Sequence, residues 1–192
     1  MNIHRVTLPL TRNICRELRA GDAVSLSGVL YSARDAAHKR FIELLDSGKP
    51  LPFPPEGACV YYMGPSPAAP GAIIGAAGPT TSGRMDAYTP RLLGLGVLGM
   101  IGKGGRSVEV VAAMKQAGAV YFGALGGGGA LLADRVREAE EIAFPDLGAE
   151  AVRRLLVEDF PAVVVIDCLG GDLYRGGREA YLKSLRVNCV FF

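Results

Sequence analysis

The chain has 192 residues, of which 49% are hydrophobic and 21% charged, proportions that fit one globular domain with a real core. Its 21 basic and 19 acidic residues leave a formal net charge of +2, which excludes a nucleic-acid footprint built on bulk charge. No run of about 18 apolar residues suggests a membrane span; Cys15, Cys59, Cys168 and Cys189 are too dispersed for a zinc pattern or a compact disulfide framework, so reduced, mostly buried thiols in a cytoplasmic protein are expected.

Arg5, Arg12, Arg16 and Arg19 give the start of the chain a faint transit-peptide character, but Glu17 interrupts it and no apolar stretch follows. Val6 to Leu10 reads instead as a first strand, and Ala23 to Ser32 as a second, set off by the Ala20-Gly21-Asp22 turn. Arg34 to Leu45 is predicted helical, with Ala37, Phe41, Leu44 and Leu45 on one face. Asp46 to Pro50 ends it, and Leu51 to Glu56 is a proline-rich loop. Strands are predicted at Cys59 to Met63 and Ala72 to Ala77, then a helix over Met85 to Leu93 that Pro90 either interrupts or ends. Val97 to Ile101 reads as a strand, Ser107 to Ala117 as a helix, and Ala119 to Leu125 as a strand. The glycine run Gly126 to Gly129 leads into Ala130 to Ala133. Val136 to Ala143 is a predicted strand, Glu150 to Glu158 a predicted helix, and the β-branched run Ala162 to Cys168 a strand buried on both faces. The last twenty residues are charged and then apolar, a segment suited to docking on a partner or to partial disorder.

Such alternation predicts an α/β domain, a mixed sheet flanked by helices. The 26 glycines fall at turns without a repeat. No dinucleotide or phosphate-loop fingerprint is present: Gly102-Lys103-Gly104-Gly105 has the wrong spacing.

The chemistry gathers at three strand-to-helix turns, where open α/β sheets bind ligands. Gly78-Pro79-Thr80-Thr81-Ser82-Gly83-Arg84-Met85-Asp86 combines hydroxyls, permissive glycines and an arginine at an expected helix N-terminus. Unpaired N–H groups and a guanidinium fork suit a small organic acid or a phosphate. The same residues also fit a Ser/Thr cap followed by a solvated arginine. Arg34 and His38, four apart, share a helix face; His38 is suited to acid, base or donor roles near neutral pH. It equally fits a surface histidine beside an ordinary Asp35–Lys39 pair. Lys103 lies in Met100-Ile101-Gly102-Lys103-Gly104. Should the three turns share one edge, Arg34, Arg84 and Lys103 converge on a substrate with two carboxylates.

These segments, with Val157-Glu158-Asp159-Phe160-Pro161-Ala162, resemble the C-terminal domain or separate β subunit of class I (iron–sulfur) fumarate hydratases and the related L-tartrate dehydratases. The resemblance runs to about Tyr174 and implies a swivelling β/β/α domain over residues 1–175 with a tail at 176–192. It implies a larger cluster-bearing α subunit in an α2β2 assembly, supplying three cysteine ligands to a [4Fe–4S] cluster, while this chain supplies no metal ligand. It further implies reversible hydration of a dicarboxylate, malate and fumarate or alternatively tartrate. Arg34, Arg84 and Lys103 would then bind carboxylates, with Thr80, Thr81, Ser82 and Gly83 lining the substrate site. Thr80 is the implied C3 base and His38 the second catalytic candidate. Gly83 sides with the fumarase pattern, and the four-glycine run at 126–129 departs from the family's usual loop.

Overall fold

Two long strands organise the molecule, which is a computed structural model describing residues 3–188. β1 is Ile3–Thr7, α1 Arg12–Glu17, β2 Ala23–Ser32, α2 Asp35–Asp46, β3 Cys59–Tyr61, α3 Thr89–Gly94, β4 Gly99–Gly102, α4 Val108–Ala117, β5 Val120–Gly123, α5 Gly129–Ala133, β6 Val136–Ala143, β7 Val152–Ile166 and α6 Leu173–Asn188. The strands form one seven-stranded sheet in the order β1-β2-β3-β4-β5-β7-β6. β1 to β5 pair parallel along this order. β7 runs antiparallel to β5, β6 and, across its other edge, β2. The β2–β7 pairing closes the sheet on itself, so its interior fills with side chains from both layers. Leu26 and Leu30 of β2 and Leu155 and Phe160 of β7 are fully buried there, each worth about 2 kcal/mol of apolar burial.

The helices form where periodicity and caps agree. α2 buries Ala37, His38 and Phe41. α4 starts at Ser107, whose hydroxyl accepts the Val110 N–H at 3.3 Å, and stops at Gly118, where φ is 77°, a left-handed cap that glycine takes without a Cβ penalty.

The expected α/β architecture with a mixed sheet is present, and three local expectations are corrected. Glu150 to Glu158 is not helical: Val152 onward belongs to β7. Val152, Leu155 and Leu156 happen to recur at helical spacing, but β2 and β6 pair along both edges of this segment, and tertiary pairing overrides a short periodic signal. Ala72 to Ala77 forms no strand. Ile73 is exposed and Gly75 interrupts the run, and single contacts hold it: Ala76 N–H donates to the Ser66 hydroxyl (2.9 Å) and Ala77 N–H to the Gly129 carbonyl (2.9 Å). The predicted helix over Met85 to Leu93 resolves into a 3₁₀ turn, Ser82–Met85, and then α3. Pro90 sits in the first turn of α3, where its missing N–H costs nothing. The first strand lies earlier, at Ile3–Thr7, and the fifth predicted one slightly later, at Gly99–Gly102. α6 spans the expected boundary at residue 175; Cys189 and the rest of the tail after Asn188 lie outside the described residues.

Candidate active site

β2, β3 and β4 run parallel, so their carboxyl ends share one edge of the sheet. Arg34 follows β2, Tyr62 to Gly64 follow β3, and Lys103 follows β4. The chain returns to this edge at Pro79 and lays Thr80 to Ser82 between the latter two. Thr80 N–H donates to the Tyr62 carbonyl (2.8 Å), Lys103 N–H to the Thr80 carbonyl (3.2 Å), and Ser82 N–H to the Lys103 carbonyl (2.9 Å). Thr81 thus bridges Lys103 in parallel, as Met63 bridges Pro79 antiparallel. Alternation along the extended stretch sorts its side chains: Thr81 and Lys103 are exposed while Ser82 is buried.

Each side chain has a defined environment. The Thr80 hydroxyl donates to the Tyr62 carbonyl at 2.9 Å, so that oxygen holds both the backbone and the side chain of Thr80. The Ser82 hydroxyl points inward, 2.8 Å from the Tyr121 hydroxyl, which itself donates to the Gly104 carbonyl at 2.9 Å. Ser82, expected at the substrate, therefore faces the core. Gly102 makes that possible, because a Cβ there would lie 2.1 Å from the Ser82 hydroxyl oxygen. Gly83 is exposed, and an added Cβ would meet nothing within 4 Å. Arg84 is exposed on the 3₁₀ turn; among the described residues neither it nor Lys103 has an ion-pair partner.

Arg34 lies against Gly64, where a Cβ would crowd its Cδ at 3.1 Å, and so belongs to the same edge. It is not free: Nη2 is 3.0 Å from Glu150 and 3.8 Å from Asp35. His38 is fully buried, with its ring 5.5 Å from those of Phe41 and Tyr62 and 6.1 Å from that of Tyr88. Its Nδ1 meets the Arg34 carbonyl at 2.8 Å; a carbonyl only accepts, so Nδ1 carries the proton. Nε2 is buried without a hydrogen-bond partner among the described residues. Burial above all, aided by the Arg106 charge and opposed by the Arg34 carbonyl and Asp35, lowers the ring's pKa to about 4. His38 stands behind Tyr62 rather than on the exposed face.

Arg106 is the residue sequence reasoning missed. Its side chain is wholly buried; Nε donates to Asp86 Oδ1 and Nη2 to the Thr89 hydroxyl, both at 2.7 Å, and Nη1 to the Tyr62 hydroxyl at 3.3 Å. Asp86 Oδ2 accepts the Ser107 N–H at 2.7 Å, so both carboxylate oxygens are committed. Burial works against the guanidinium charge, but Tyr62 and Asp86 outweigh it and raise its pKa. The available signal was weak, an arginine just before a helix cap and an aspartate twenty residues earlier, with no periodicity linking them. Glu150 was hidden for the same reason.

An iron–sulfur cluster does not fit the donors present. Among the described residues no three His, Cys, Asp or Glu side chains group as metal ligands. Cys15, Cys59 and Cys168 are buried thiols, and burial pushes Cys15 up to about 12 and raises Cys59 too, the reverse of what a thiolate ligand needs. Among the described residues no helix is long and apolar enough to cross a membrane.

The family described as fumarase C-terminus matches residues 1–177. The chain is 43% identical over 156 residues to fumarate hydratase 2 of Leishmania major, a match covering 80% of this chain and 28% of that protein. It is 40% identical over 154 residues to the anaerobic class I fumarate hydratase of Escherichia coli K12, covering 79% and 28%. To the putative L(+)-tartrate dehydratase subunit beta of Methanocaldococcus jannaschii it is 37% identical over 182 residues, covering 92% of this chain and 93% of that one. The match thus spans under a third of these two fumarate hydratases and nearly all of the subunit.

Proposed function

This chain belongs to the fumarase C-terminus family, and on that premise we propose that it is the β subunit of a two-chain hydro-lyase interconverting (S)-malate and fumarate plus water. The observation that carries the reading is the interleaving of Thr80 to Ser82 between Tyr62 and Lys103, which leaves Thr81 and Lys103 exposed at one edge, with Arg84 exposed on the turn that follows and without an ion-pair partner among the described residues. Lys103, Arg84 and Arg34 bind the two carboxylates, Arg84 as a planar fork and Lys103 as a point charge. Thr81 orients the substrate through its hydroxyl, and Gly83 leaves room for it. Ser82 serves from beneath, fixing the turn through Tyr121.

Thr80 stands where the C3 proton leaves. A hydroxyl accepts a proton only as it surrenders its own, and the Tyr62 carbonyl that receives the Thr80 hydrogen bond is too weak a base to keep it. The final acceptor is therefore a group of the partner chain, and His38 is the second candidate. In an α2β2 enzyme the cysteines of that α subunit would hold the [4Fe–4S] cluster, which would supply Lewis-acid chemistry at the substrate. The catalytic unit is residues 1–175 of a cytoplasmic protein.

Dehydration of L-tartrate is the second reading. The near end-to-end match to the tartrate dehydratase subunit favours it, and that match also supports a two-chain enzyme. Purification with the partner chain under anaerobic conditions, followed by assays of fumarate from malate and oxaloacetate from tartrate, separates the two. Thr80→Ala and Arg84→Ala are expected to remove most turnover while subunit assembly persists. Full activity in both variants would make the chain a carboxylate-binding or scaffold subunit and overturn the proposal.

A further inference from the structure

We infer that Arg106 is a positioning residue that fixes the Thr80–Arg84 turn on the sheet edge and thereby controls turnover without touching substrate; this rests on the reading just given. Each arm of its guanidinium reaches a residue that holds the turn. Tyr62 takes Nη1 on its hydroxyl (3.3 Å), while its carbonyl carries Thr80 twice. Asp86, directly after the turn, takes Nε. Thr89 takes Nη2 and donates its hydroxyl to the Met85 carbonyl at 2.8 Å. The guanidinium carbon also lies 5.3 Å from the Tyr62 ring centroid and 5.2 Å from that of Tyr121, and the Tyr121 hydroxyl holds Ser82. One buried cation therefore grips both ends of the turn and its middle.

Such a charge is costly to bury unless every arm is paired, and a planar fork is what three acceptors in different directions require. A lysine keeps the charge but not the directions. Small errors in the position of catalytic groups are expensive, about 100-fold for ~1 Å, and Thr81 and Arg84 ride on the same turn as Thr80, so substrate binding loosens with it. The signature is thus a fall in kcat together with a rise in KM, with the loosening confined to the turn and its Lys103 partner.

The test uses the full chain assembled with its partner. Arg106→Lys is expected to lower kcat about 100-fold and to raise KM as well. Hydrogen exchange at the Thr80, Ser82 and Lys103 amides should accelerate at least tenfold while β2 and β7 keep their protection. The paired variant Asp86→Asn/Arg106→Met removes charge and countercharge together, so it reads out even if the lysine variant folds poorly. It should show the same local loss. Unchanged kcat in Arg106→Lys, or unchanged exchange at the three amides, overturns the inference. Uniform loss of protection across β2 and β7 in both variants also overturns it, assigning Arg106 to general core stability. Should the assembled parent dehydrate neither malate nor tartrate, the functional reading fails, and the exchange data alone decide whether Arg106 sets the turn.

Discussion

Glu150 holds Arg34 as an external carboxylate would. Its Oε1 lies 3.0 Å from the Arg34 guanidinium, and its Oε2 accepts the Ala36 N–H at 3.1 Å in the first turn of α2. Cation and helix N-terminus together form an anion seat, and the chain already fills it. If Arg34 binds a substrate carboxylate, Glu150 competes for it. Glu150→Gln keeps an acceptor for Ala36 and deletes the charge, so KM for the dicarboxylate should fall about two- to fivefold, in line with the modest worth of a partly exposed pair. Steady-state kinetics of the assembled enzyme check this; an unchanged or raised KM would remove Arg34 from the substrate site.

The close fit of Gly102 under Ser82 gives a steric prediction. A methyl at 102 would stand 2.1 Å from the Ser82 hydroxyl oxygen and 2.9 Å from Tyr62 Cδ2. Gly102→Ala must push the turn off the sheet edge, costing about 1–3 kcal/mol of stability and most of the turnover. Adding Ser82→Ala removes the worst clash and leaves the Tyr62 Cδ2 contact at 2.9 Å and a Cβ contact at 3.4 Å, so the double variant should recover part of both losses. Denaturation midpoints and kcat of the two variants test it. A Gly102→Ala protein with parental activity would mean that the turn's height is not critical.

How far the sequence went follows from where each element gets its order. β2 and β6 were legible to the residue, as were α2 and α4 to within one residue, because their hydrophobic periods and caps lie within the segment. β7 misled at Val152 to Val157, where order comes from two neighbouring strands. Thr80 to Ser82, whose predicted strand is absent, reaches the edge through backbone bonds to Tyr62 and Lys103; the meeting there of the turns after β2 and β4 followed from parallel strand order. The inward turn of Ser82, the Glu150 carboxylate on Arg34 and the Arg106 hub did not, since each joins segments between roughly 15 and 120 residues apart through side-chain directions that composition does not encode.

The buried thiols should be slow to react. Burial raises Cys15 to about 12 and lifts Cys59 as well, while the Cys168 thiol donates to the Cys15 carbonyl at 3.3 Å. At pH 8 the thiolate fraction of Cys15 is on the order of 10⁻⁴, and only thiolate attacks. Mass spectrometry after alkylation at pH 8 should find Cys15 and Cys59 unmodified in the folded chain and modified in denaturant. Rapid labelling of either in the native state would contradict their burial.

His38 gives the pH dependence. Its pKa is depressed to about 4 from the ordinary 6.5, so between those values the unfolded chain holds a proton that the folded chain lacks. Stability therefore rises with pH through this window and is level, as far as His38 is concerned, above it. Acidification from neutral to below pH 4 should cost about 3 kcal/mol through this residue. In His38→Asn the amide can replace Nδ1–H as donor to the Arg34 carbonyl and has no proton to gain, so urea denaturation across pH 4 to 7 should show a shallower slope. The same burial limits catalysis by this ring: it is neutral at pH 7, with its free Nε2 lone pair enclosed. A role as base thus predicts an activity inflection near pH 4, and an inflection near 6.5 that survives His38→Asn would belong to another group.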